Sequence, residues 1–162
     1  MRAEGAEIEA GALHQIVERT EGYPYFLQEW GSHAWNVAVR SPITVADVEA
    51  ATVRALNALD QGFFRVRLDR LTPREKNYLR AMAQLGPGAH LSGDIADTLV
   101  IAVTAAGPLR SGLIRKGMIY SPAHGDTALT VPMCDAFMRR TLPEWTAPAL
   151  AAAAKKKRRR KR

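Results

Sequence analysis

Residues 106–131 read AGPLRSGLIRKGMIYSPAHGDTALTV, and this stretch decides the fold of the second half of the chain. Its first part predicts a helix over Ala106–Lys116, because apolar residues recur at helical spacing and Gly117 is the residue type preferred just past a helix end. Two short runs then flank turn residues, which predicts strands at Met118–Ser121 and Thr127–Val131. The stretch therefore predicts a helix followed directly by a β-hairpin.

Two further helices are predicted before this stretch. The segment TPRE at 72–75 places an N-cap, a first-turn proline and a reciprocal glutamate in the order of a capping box, so it begins a helix over Pro73–Leu85. Ser92 is predicted to cap a short helix over Gly93–Leu99, and a last short helix follows the hairpin at Cys134–Arg140. Three helices and then a hairpin is the order of a winged helix-turn-helix.

The first part of the chain is predicted to be helical throughout. Apolar spacing predicts a short helix ending at Glu21, a second helix over Tyr25–Arg40 and a third over Val45–Leu68. Gly62 interrupts the third helix and marks an expected bend. The predicted fold class is therefore mainly α, with a two-stranded hairpin as the wing.

The charge of the chain is concentrated at one end. The net charge is +7, but the run Lys155–Arg162 supplies eight positive charges, so residues 1–154 hold 15 Lys and Arg against 16 Asp and Glu. Eight adjacent like charges repel one another and cannot be buried, which predicts a disordered basic arm attracted to polyanions. We therefore assign a helical subdomain to residues 1–70, a winged helix-turn-helix to 71–142 and a disordered alanine-rich and basic tail to 143–162.

Composition excludes several classes of protein. The single cysteine, Cys134, cannot build a disulfide framework, and no apolar run approaches the roughly 20 residues of a membrane span, so we expect a cytoplasmic protein without a membrane partner. The acidic first 20 residues do not read as a signal peptide. The four histidines lack metal-ligand spacing, and Cys134 is interpreted as a small buried side chain rather than a nucleophile. No catalytic constellation is found, and no enzyme activity is expected.

Three blocks occur in a familiar order: Gly22–Gln28, Leu71–Leu79 and Pro108–Tyr120. Together they resemble the C-terminal part of bacterial and archaeal AAA-type ATPases of the signal-transduction and origin-recognition-like group. In that family a helical lid follows the nucleotide-binding core and a winged-helix domain follows the lid, which implies a lid-like role for residues 1–70. The chain departs from the family because it has neither a phosphate-binding loop G-x-x-x-x-G-K-[ST] nor a strand ending in a magnesium-binding acidic pair.

The resemblance also implies a nucleotide contact and a partner. Gly22 and Pro24 match a Gly-x-Pro element whose proline lies against the adenine in related ATPases, although the same two residues suit a simple helix-start turn. No cofactor is expected in this chain by itself, and ATP would bind only with an ATPase core supplied in cis or in trans. ATP hydrolysis by the chain alone is not expected.

Candidate DNA-binding residues lie on the predicted winged helix. Residues 72–142 hold eight Lys and Arg against five Asp and Glu, a modest excess, so double-stranded DNA is one expected partner and a protein is the alternative. In the alternative the chain docks onto an ATPase core, or onto a second copy, through an aromatic face of residues 1–70. The DNA candidates on the second helix of the motif are Arg110, Ser111, Arg115 and Lys116. Candidates for contacts with the DNA backbone are Arg74, Lys76, Arg80 and His124.

Overall fold

The computed structural model describes residues 7–148 and divides the chain into two compact units between Arg67 and Leu68. Both units are built mainly from α-helices, and the second also holds a small antiparallel sheet. The predicted fold class, mainly α with a winged helix-turn-helix, is confirmed. No single helix in residues 7–148 is long and apolar enough to span a membrane, although the bent pair of helices at 92–99 and 103–115 meets the length and composition together.

The first unit is a bundle of helices with an internal π-helical segment. Thr44 caps the third helix with a capping box, in which its hydroxyl accepts from the Asp47 N–H and its own N–H donates to the Asp47 carboxylate. Ile8, just before the first helix, pairs with Ile43 in an isolated bridge. The helices are α1 (Ala10–Thr20), α2 (Pro24–Val37) and α3 (Val45–Ala58), followed by the π-helical segment at Leu59–Phe64. The boundary between the two units falls within the next helix, α4 (Arg65–Asp69).

The π-helical segment replaces the bend that Gly62 predicted. A π-turn holds one more residue than an α-turn, which rotates the following residues relative to the helix face. Phe63 and Phe64 are both buried although they are neighbours in sequence. Their rings join those of Tyr23, Tyr25 and Phe26 in an aromatic cluster whose neighbouring centroids lie 4.7–6.3 Å apart.

The second unit is organised around one buried helix. This helix, α5 (Pro73–Leu85), begins at the predicted capping box of Thr72 and Glu75 and carries the fully buried Tyr78 and Leu79. The remaining helices of the unit are α6 (Ser92–Leu99), α7 (Val103–Arg115) and α8 (Cys134–Thr141), and all three pack against α5.

The wing is a three-stranded sheet rather than the predicted two-stranded hairpin. Its strands are β1 (His90–Leu91), β2 (Ile119–Tyr120) and β3 (Asp126–Leu129), in the order β1-β3-β2, and both pairs are antiparallel. Strand β1 escaped prediction because two residues are too few to show an alternating pattern. Ser92, predicted as a helix cap, makes no cap hydrogen bond, and its hydroxyl donates instead to the Gly125 carbonyl at 2.9 Å.

The segment that follows α8 packs against α5, which corrects the assignment of residues 143–148 to a disordered tail. The Trp145 indole N–H donates to Asn77 Oδ1 at 2.9 Å, and Ala147 is buried. The Arg80 guanidinium donates to the Leu142 carbonyl at 2.8 Å and lies over the Trp145 ring. The basic run Lys155–Arg162 lies outside the described residues.

Candidate nucleic-acid interface

Helices α6 and α7 form a helix-turn-helix. Their directions differ by 109°, and they are joined by the three residues Val100–Ala102, which matches the usual angle and turn length of the motif. Val100 adopts a left-handed conformation with φ 56°, and its N–H donates to the Asp97 carbonyl at 3.0 Å. A β-branched residue rarely takes this conformation, and here it ends α6 together with the hydrogen bond from the Ile101 N–H to the Ala96 carbonyl at 3.1 Å. Helix α7 is the second helix of the motif.

The outward stripe of α7 is longer than the sequence predicted. The helix begins at Val103 rather than the predicted Ala106, so Pro108 lies inside the helix. Since proline has no N–H, the helical hydrogen bond to the Thr104 carbonyl cannot form there. We call the exposed residues at helical spacing the α7 stripe: Val103, Thr104, Pro108, Ser111 and Arg115.

Arg110 lies beside the stripe but is bound to the wing. Its Nε donates to Thr127 Oγ1 at 2.8 Å and its Nη2 donates to the Asp126 carbonyl at 3.0 Å. Thr127 is fully buried, so this contact joins α7 to the central strand β3. Two N–H groups of Arg110 therefore hold the wing against α7, and its contact with DNA stays a prediction.

Lys116 is likewise occupied within the protein. Its Nζ donates to Glu75 Oε2 at 2.7 Å and to the Arg70 carbonyl at 3.1 Å. Burial raises the pKa of Glu75, but the hydrogen bonds from Lys116 and Thr72 together lower it by more than burial raises it. The pKa of Glu75 therefore lies below the ordinary value of 4.5. Lys116 therefore neutralises a buried carboxylate at the start of α5, a role that its position at the end of α7 did not indicate.

A glycine permits this close approach of α7 and α5. Gly112 is buried, and a Cβ atom built on it would lie 3.1 Å from Glu75 Oε1. A larger side chain would have to displace a carboxylate that Lys116 and Thr72 already hold in place. Gly112 is thus a packing position.

The remaining candidates differ in their surroundings. Arg74, on the first turn of α5, and His124, in the turn between β2 and β3, are exposed. Lys76 is half-buried and lies 3.9 Å from Asp69, a weak ion pair.

Arg80 is buried and donates to Leu142 and Gln84, so the expectation that it meets the DNA backbone is wrong. Burial lowers the pKa of the Arg80 guanidinium, and the nearby Arg139 lowers it further.

Gly22 and Pro24 lie in the first unit, at the turn between α1 and α2. Glu21, with φ 51°, is the left-handed residue that ends α1, and Gly22 after it has φ 69° and donates its N–H to the Val17 carbonyl at 3.1 Å. Pro24 occupies the first position of α2. Both residues are exposed and have the geometry of a helix-to-helix turn.

Sequence reasoning missed the first half of the stripe. Val103 is 52% exposed and Thr104 is exposed. The apolar run 99–103 gives no indication that these residues lie on the surface. The signal that could have found them is the spacing from Ser111: Thr104 and Pro108 precede it at helical intervals on the same face. No group of three metal-ligating side chains occurs within residues 7–148.

Comparison with known proteins relates the chain to a regulator of transcription. A family described as a domain of unknown function, DUF8462, matches residues 61–138, which hold α5 to α8 and the sheet. The chain is also 30% identical, over 115 residues, to a protein of Methanocaldococcus jannaschii described as an uncharacterized HTH-type transcriptional regulator, MJ0774. That alignment covers 71% of this chain and 28% of the relative, so the chain spans a minor part of the relative's length. No solved structure matches the chain.

These matches support a helix-turn-helix protein in the coarse sense. Helix-turn-helix domains place their second helix in the major groove, which makes α7 the element to consider first. Neither match is described as an ATPase. The predicted relation to AAA-type ATPases therefore stays a prediction.

Proposed function

We propose that the second unit binds double-stranded DNA as a winged helix-turn-helix and that the chain acts in the control of transcription. The α7 stripe would face the major groove. The wing, fastened to α7 by Arg110, would lie beside the DNA backbone. The observation that carries the proposal is the stripe itself: a row of exposed residues on the second helix of a helix-turn-helix.

The similarity to a helix-turn-helix regulator supports the same function from an independent direction. The relative's description names transcriptional regulation, and the 30% identity extends over 115 residues of this chain. We therefore place DNA as the partner ahead of a protein. The proposed role is binding without catalysis.

Electrostatic attraction to phosphate would come from few residues of the folded part. Residues 68–148 hold nine Lys and Arg against seven Asp and Glu, an excess of two. Several of the nine donate hydrogen bonds within the unit, among them Arg80, Arg110 and Lys116. Arg74, Arg115 and His124 are exposed and are the proposed phosphate contacts. The basic run Lys155–Arg162 would add a strong attraction that does not depend on DNA sequence and weakens with salt.

A mobility-shift experiment on duplex DNA tests the proposal, and it must separate the fold from the basic run. We would compare the full chain with a chain ending at Pro148, which keeps the packed Trp145 and Ala147. The shorter chain should bind more weakly, with a smaller salt dependence. Arg115→Ala should weaken its binding further, whereas Arg54→Ala, an exposed arginine on α3, is the matched control.

The outcome that contradicts the proposal favours the alternative. If the chain ending at Pro148 does not bind DNA at any salt concentration, the basic run alone accounts for DNA binding. The second unit would then be a protein-interaction module, and a pull-down with a P-loop ATPase core or a measurement of self-association would follow. The hypothesis that residues 1–70 serve as an ATPase lid belongs to that second line of experiments.

A further inference from the structure

We infer that the first half of the α7 stripe reads the methyl groups of thymine in the major groove. This inference rests on the proposed function and names the chemistry of the DNA that the site would recognise. It concerns Val103, Thr104 and Pro108, which the sequence did not single out.

The exposed side chains in this half of α7 are small and uncharged. Val103 and Thr104 carry methyl groups, Ala105 and Pro108 are apolar, and Gly107 has no side chain; all are exposed. Arg110, the charged side chain nearest along the helix, is bound to Thr127 and Asp126. The surface therefore offers methyl groups and one hydroxyl.

The residue types on this surface indicate which base it can recognise, because the side chains that usually read guanine and adenine are absent from it. Guanine is usually read by Arg or Lys and adenine by Asn or Gln, and residues 103–109 contain none of these four types. The C5-methyl group of thymine is the apolar feature of the major groove, and side chains such as Ala and Thr contact it. Recognition helices place their N-terminal residues against the base edges, which is where Val103 and Thr104 lie.

Arg115 does not alter this selection because it lies at the other end of the helix. Eleven residues separate it from Thr104, which corresponds to about 16 Å along the helix axis. Arg115 and Ser111 would therefore meet the phosphate backbone or a different group of base pairs, several steps away. The methyl-bearing half and the basic end of the stripe have separate functions.

The experiment measures dissociation constants of the full chain for matched duplexes. An alternating dA-dT duplex is compared with the same duplex carrying deoxyuridine, which pairs identically and lacks the methyl group. A dG-dC duplex is compared with its 5-methyl-dC form, which gains the methyl group. We expect the deoxyuridine duplex to bind about fourfold more weakly for each contacted methyl group, and the methylated dG-dC duplex to bind more tightly than its parent.

Variants assign the effect to α7. Val103→Thr replaces one exposed methyl group by a hydroxyl and should reduce the ratio between the thymine and uracil duplexes. Val53→Thr makes the same change at an exposed valine of α3 and should leave the ratio unchanged.

The outcomes separate the inference from the function on which it rests. Equal affinity of the wild-type chain for the thymine and uracil duplexes overturns the inference and leaves DNA binding intact. A ratio that Val103→Thr does not change overturns the assignment to α7. Failure to bind any duplex refutes the proposed function itself.

Discussion

Lys116→Met would leave the carboxylate of Glu75 buried without its cation. The Glu75 side chain is 8% exposed and its Oε2 lies 2.7 Å from Lys116 Nζ, whereas the lysine side chain is 38% exposed. Removing one partner of a fully buried pair costs about 3–5 kcal/mol, and an exposed pair contributes about 0–1 kcal/mol. Since Lys116 is more than one-third exposed and Thr72 still donates to the carboxylate, we expect a loss of about 1–2 kcal/mol in the free energy of unfolding.

Urea unfolding followed by circular dichroism at pH 7 measures this loss, and Glu75→Gln provides the matched background. The side-chain amide in that background keeps an oxygen for the Thr72 N–H but carries no charge, so Lys116→Met should cost less than about 0.5 kcal/mol there. An equal loss in both backgrounds would show that Lys116 acts through its packing or its hydrogen bond to the Arg70 carbonyl, and it would refute the argument.

The pH dependence gives a second measurement of the same interaction. The pKa of Glu75 is lowered in the folded state, so its ionised form stabilises the fold above pH 4.5, and this stabilisation is lost as the pH falls through the lowered pKa. The Lys116→Met variant has less of this stabilisation to lose. The difference in unfolding free energy between wild type and variant should therefore shrink on acidification, and a difference that grows would contradict the assignment.

Three further predictions concern packing in the second unit, and each is checked by chemical unfolding. Arg110→Met removes both hydrogen bonds to the wing and leaves the buried Thr127 hydroxyl without its donor, so we expect a loss of about 1–3 kcal/mol. Gly107→Ala, at an open helical position, should stabilise the unit by about 0.5–1 kcal/mol. Gly112→Ala should be the less stable of the two variants because its Cβ would meet the Glu75 carboxylate, and the reverse order of stability would contradict this account. Trp145→Phe loses the hydrogen bond from the indole to α5 and should cost about 1 kcal/mol, and an unchanged midpoint would show that the segment after α8 does not stabilise the unit.

The parts of the fold that local chemistry decides could be predicted from the sequence. The capping box of Thr72 and Glu75 starts α5 at Pro73, as expected, because a cap needs only residues that are three positions apart. The wing strands β2 and β3 were found within one or two residues because turn residues separate them. Strand β1 was missed because its two residues gain their hydrogen bonds only from β3.

The roles of the basic residues could not be predicted in the same way. The sequence shows that Arg110, Arg115 and Lys116 lie near one another on a helix, but not which of them has an acceptor in the folded chain. Arg110 donates to Thr127 in the wing, and Lys116 donates to Glu75, which is 41 positions earlier in the chain. Only the exposed Arg115 keeps the surroundings that the prediction assumed.

The segment after α8 has a consequence for dividing this chain into modules. The region matched by the family ends at residue 138, yet Arg80 in the middle of α5 relies on the Leu142 carbonyl and on Trp145. A fragment trimmed to the matched region would keep the guanidinium and lose both. Grafting or swapping experiments on the unit around α5 should therefore keep the chain at least to the buried Ala147.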